Sequence, residues 1–61
     1  VEDIASEINE IATAAIGIQQ HLRIASEMVK EQPHIAEQNI LLATGICRRI
    51  LTRLEQLEES I

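Results

Sequence analysis

The chain has 61 residues, a net charge of −5, one cysteine and no Phe, Trp or Tyr. That length allows one small domain, which buries only about 60% of the surface its unfolded chain exposes and is marginal by itself. One cysteine excludes an internal disulfide, and the acidic balance and missing aromatics argue against nucleic-acid binding and against anchoring at a membrane surface.

Composition sets further expectations. No Cys/His cluster has zinc spacing, and no apolar run is long enough to insert in a membrane. No secretory signal pattern is read in it, and a start at Val1 rather than Met is what an excised fragment would show. A lone unpaired thiol fits a reducing, intracellular compartment. Small domains without disulfide or metal gain stability from oligomerisation or a partner.

The first predicted element is a helix over about residues 2–31. Ile4, Ile8, Ile11, Ala15, Ile18, Leu22, Ala25 and Val29 alternate steps of four and three. That heptad stripe marks an amphipathic, coiled-coil-like helix. A connection at 31–34 follows, because Pro33 cannot donate a backbone hydrogen bond and costs ~3 kcal/mol inside a helix. Proline is welcome at the first position of a new helix. The second predicted helix covers about 33–60, with the stripe Ala36, Ile40, Ala43, Cys47, Ile50, Leu54, Leu57 and Ile61. The fold class expected is all-α: an antiparallel two-helix hairpin assembling into a four-helix or larger bundle.

Folding the chain back on itself pairs the stripes in a single register. From the loop outward, Val29 meets Ala36, Ala25 meets Ile40, Leu22 meets Ala43, and Ile18 meets Cys47. Ala15 then meets Ile50, Ile11 meets Leu54, Ile8 meets Leu57, and Ile4 meets Ile61. The five layers nearest the loop set a small residue against a larger one, as close packing requires. The three outer layers pair large with large, which predicts splaying.

Apolar residues also lie off this seam: Ala12, Ile16, Ile24 and Met28 on the first helix, and Ile35, Leu41, Leu42, Ile46 and Leu51 on the second. Exposed together, they would form patches that soluble monomers rarely tolerate. They are the candidate interface residues. The partner expected is the chain itself, as a homodimer or higher oligomer, or else another helical protein. Glu2, Asp3, Glu7 and Glu10 share one end of the hairpin with Glu55, Glu58 and Glu59, and Arg48, Arg49 and Arg53 form a band in its middle. An antiparallel dimer would hold the two acidic ends apart.

His21 flanks the seam. Its plain reading is a partly buried histidine bonded to a neighbour such as Asn39 or Gln20. The His21-Leu22-Arg23 and Ala43-Thr44-Gly45 runs also loosely resemble designed haem-binding bundles. That resemblance implies His21 as an axial ligand across a bundle core, Thr44 bonding it, and room for a macrocycle at Gly17 and Gly45. A histidine on the first helix of a hairpin this size resembles the dimerisation hairpin of sensor histidine kinases as well. There an acidic residue follows the phospho-accepting histidine, whereas Leu22 stands here. Cys47 reads as a small buried hydrophobe, His34 as solvated, and Glu31-x-x-His34 as a metal spacing broken by Pro33. Asn9, Gln19, Ser26, Asn39 and Thr44 wet the seam edges or fix register. Neither a catalytic residue nor a cofactor is expected. The function expected is self-association, as a module of a larger protein or a designed assembly. The alternative is a small adaptor or chaperone that binds another protein's helix.

Overall fold

A computed structural model describes residues 3–61. It is an all-helical hairpin of α1 (Ile4–Met28) and α2 (Pro33–Ser60), packed side by side over a length of 48 Å.

Each helix end has a local cause. Asp3 is the N-cap of α1, and its Oδ1 accepts hydrogen bonds from the Ala5 and Ser6 amides at 3.1 and 3.3 Å. This satisfies two of the donors that a helix start leaves without partners. Glu7 adds negative charge in the first turn, where the helix dipole favours it. At the other end α1 stops at Met28, about three residues before the boundary the stripe suggested. Proline restricts the residue before it, and Gln32 accordingly leaves the helical region at φ −137° and ψ 73°. The Gln32 amide closes back on the Met28 carbonyl at 2.8 Å, while the Gln32 carbonyl accepts from Ile35 and Ala36. Pro33 then opens α2 at a position where its missing N–H costs nothing. Among the described residues no φ is positive, so the reversal needs no glycine. The last amide, that of Ile61, bonds the Leu57 carbonyl at 3.1 Å.

The seam differs from the one the stripes predicted. Ala25, Ala36, Ala43 and Leu57 are 3–7% exposed, and they are all the buried apolar residues of the described chain. Ile4, Ile11, Ile18 and Ile50 are half-buried on the same heptad lines. Ala15 is half-buried as well, whereas Ile8, Leu22, Val29, Ile40 and Leu54 are 42–56% exposed and Ile61 is 88% exposed. In every predicted pair except Ala15–Ile50, one member is covered and the other open. The expected burial of Cys47 against Ile18 is likewise corrected, since Cys47 is exposed. The hairpin closes instead through Ala14, Gly17, His21 and Met28 with Ile35, Asn39 and Ile46, all half-buried.

The shift has a physical reason. Each helix carries an apolar stripe wider than a two-helix seam, so one flank must stay open. The flank that closes gains polar contacts. His21 Nδ1 lies 2.8 Å from Asn39 Oδ1, and Arg53 Nη1 donates to Glu10 Oε2 at 2.9 Å. Small Ala14 and Gly17 line that flank beside Ile46. The flank left open is aliphatic and offers no polar pair of this kind within the hairpin.

Candidate interaction surface

Helical spacing sorts the side chains onto two broad faces. On the open face a groove of ≈ 290 Å³ runs between the helices, with Ile18, Leu22, Ile40, Ala43, Cys47 and Leu51 along it and Thr44 and Arg48 at its edge. Heptad repetition carries the same line to Ile8, Ala15 and Val29 on α1, and to Leu54 and Ile61 on α2. The uncharged residues on these lines leave Arg48 as the one charge against the groove.

The opposite face is mixed. Its groove is lined by Glu10, Ala14, Gly17, Ile46, Arg49 and Arg53, with Ile11 and Ile50 at its floor. The Glu10–Arg53 ion pair spans it. Both side chains are more than half exposed, so the pair contributes little to stability, in the range of ~0–1 kcal/mol. Towards the loop the His21–Asn39 bond takes over. Asn39 Nδ2 donates to the Ile35 carbonyl at 2.9 Å. That carbonyl only accepts, so the amide must turn its oxygen to His21, and His21 Nδ1 carries the hydrogen. This is the plain reading of His21, with Asn39 as the neighbour.

The off-seam residues separate into two groups. Ile16, Ile24, Leu41, Leu42 and Leu51 are exposed, as is Ala12. Met28, Ile35 and Ile46 are half-buried inside the hairpin itself. Those three positions are thus partly covered within one chain. In exchange, Ile8, Leu22, Val29, Ile40, Leu54 and Ile61 join the open surface. The stripes alone did not distinguish the two flanks. The signal that could have done so was a polar one: Glu10 with Arg53 and His21 with Asn39 are complementary pairs on the same flank, at antiparallel spacing.

Within one hairpin His21 and Thr44 are not brought together. Thr44 lies on the open face and donates its hydroxyl to the Ile40 carbonyl at 2.9 Å, one turn back on its own helix. His21 bonds Asn39 on the other face, so Thr44 does not hold it. No group of three or more His, Cys, Asp or Glu side chains converges among the described residues. A β-carbon built on Gly17 would lie 3.6 Å from Ile46 Cδ1, an ordinary contact, and one on Gly45 would meet nothing. Gly45→Ala should therefore stabilise the helix by roughly 0.5–1 kcal/mol, since glycine costs about that much in a helix interior. A thermal melt at fixed chain concentration checks it, and a lowered midpoint would mean that something packs against Gly45.

Among the described residues no helix is long and apolar enough to cross a membrane. Compared with family models, curated proteins and solved structures, the chain matches none.

Proposed function

We propose that the chain is a self-association element, two copies of which join through the open apolar face into a four-helix bundle. It would serve as the assembling part of a larger protein or of a designed assembly. The observation that carries this reading is the line of half-exposed large aliphatic residues, Ile8, Leu22, Val29, Ile40 and Leu54, on one side of a hairpin. Few soluble monomers leave such a continuous surface in water.

Size supports a second copy as the occupant. The hairpin measures 48 by 15 Å in its two longer dimensions. Covering one such face removes roughly 700 Å² per copy, close to the ~800 Å² per partner of a standard stable interface. The same face is self-complementary in character, because aliphatic residues meet aliphatic residues whichever way the copies turn. Stability points the same way. No large side chain is fully buried among the described residues, and three of the four buried residues are alanines. A hairpin with so little interior gains most from covering its open face.

Sedimentation or light scattering on the purified chain tests the proposal. At micromolar concentration the mass should be twice the 6.8 kDa of one chain. A monomer of low helicity that becomes helical only when another protein's amphipathic helix is added would overturn it in favour of an adaptor.

A further inference from the structure

Resting on that self-association, we infer that the second copy lies antiparallel to the first, loops at opposite ends, with the two-fold axis crossing the bundle at the level of Cys47. Two observations carry the orientation.

The first is a taper. Near the loop the packed layers contain Ala25, Ala36 and Ala43, the three most covered residues of the described chain. Near the termini the corresponding positions are Ile4, Ile8, Ile11, Leu54, Leu57 and Ile61. The stripes of one hairpin thus carry more small residues near the loop and only large ones near the termini. Two copies set loop to loop would add large to large and small to small, overfilling one end of the core and leaving voids at the other. Turned end for end, the large residues of one copy cover the small ones of the next, and every layer approaches the same volume. Protein interiors are packed to nearly constant density, so the second arrangement fits.

The second is charge. The open end carries Asp3, Glu7, Glu10, Glu55, Glu58 and Glu59, offset by the Arg48, Arg49 and Arg53 band. Loop to loop, two such ends would lie side by side. End for end, each lies over the other copy's loop end, where Arg23 and Lys30 nearly balance Glu27, Glu31 and Glu37, so the strongly acidic ends are kept apart.

The level of the axis follows from the helix bounds. Cys47 stands at the middle of α2 (Pro33–Ser60) and on the open face. In a fully overlapped antiparallel pair, each α2 packs against the other α2, and the two Cys47 side chains face each other across the axis. In a loop-to-loop pair each α2 packs on the other copy's α1, and the two thiols sit on diagonal helices, too far apart for the 4.4–6.8 Å Cα spacing that disulfides usually have.

Two measurements test this together with the solution mass. Diamide, an azo oxidant that takes two electrons and two protons from a pair of thiols, should convert the native chain to a disulfide-linked dimer within a dimeric mass. The second uses Glu59→Cys in a Cys47→Ser background, carrying a nitroxide, with the label-to-label distance read by pulsed electron resonance. The expected distance is about 40 Å, from 1.5 Å rise per residue on either side of the axis. A dimeric mass with labels within about 20 Å, or with no Cys47 cross-link, overturns the antiparallel orientation and leaves self-association standing. A monomeric mass for the native chain overturns both. Should the serine background fail to associate, the native cross-link decides alone.

Discussion

Leu22→Glu should abolish the proposed self-association and leave a monomer. Leu22 is 48% exposed in the hairpin and sits in the open groove beside Ile18, Ile40 and Cys47. Within one chain the carboxylate keeps its water, and the cost is limited to the apolar surface it removes. Across a two-fold interface two such carboxylates are buried without partners. An unpaired buried charge costs several kcal/mol, and the symmetry counts it twice. At ~1.4 kcal/mol for each factor of ten, association should weaken by at least about a thousandfold. Leu42→Glu is the control. Leu42 is 55% exposed, but its heptad position places it on the mixed face with His21 and Arg49. That variant should keep its dimeric mass in the same sedimentation run. If Leu42→Glu dissociates the assembly and Leu22→Glu does not, the wrong face has been chosen.

Ala36→Leu should be the most damaging single change within the hairpin. Ala36 is 3% exposed, and its amide bonds the Gln32 carbonyl in the turn. Both backbone and side chain are therefore held where the helices come closest to their connection. A leucine there must push α1 and α2 apart or leave its preferred rotamer. Overpacking of this kind costs about 1–3 kcal/mol. For a domain of this size each kcal/mol lowers the melting midpoint by roughly 4–8 °C. Gln38→Leu, two residues on and exposed, should stay within about 0.5 kcal/mol of the parent. Thermal melts of the three chains at one concentration make the comparison, and a midpoint for Ala36→Leu at or above the parent would show that the layer has room.

How much of this could be read from residues alone depends on which force sets the feature. The two helices were legible because heptad spacing is a property of consecutive residues, and Pro33 marks the break by its own covalent structure. The antiparallel register was close for the same reason: equal steps on both stripes leave few ways to align them. Ile18 and Cys47, expected to meet, line one groove, and so do Leu22 and Ala43. The rotation of each helix about its axis was less legible. Ala36, Ala43, Ile50 and Leu57 lie on the covered line whichever flank closes, whereas Ile40, Cys47, Leu54 and Ile61 are covered only if the aliphatic flank closes. Choosing the flank is a matter of a few polar contacts, His21 with Asn39 and Glu10 with Arg53, weighed against aliphatic surface. A stripe pattern counts apolar residues and is blind to that choice. Met28, Ile35 and Ile46, expected off the seam, are half-buried in the hairpin for the same reason, while Ile8, Leu22, Val29, Ile40, Leu54 and Ile61 stay exposed.

The turn at Val29–Gln32, built without a left-handed residue and stopped by Pro33, also bears on how the molecule comes together in time. Contacts between α1 and α2 begin a few residues from the turn and lengthen outward in step, so loop closure is short at the start and each later contact adds little entropy cost. Topologies of that kind form on microsecond to millisecond timescales. The hairpin formed so quickly has almost no interior with which to persist. On the proposed self-association its lifetime depends on meeting another copy before it opens, and refolding should pass from first-order to second-order kinetics as the chain is diluted.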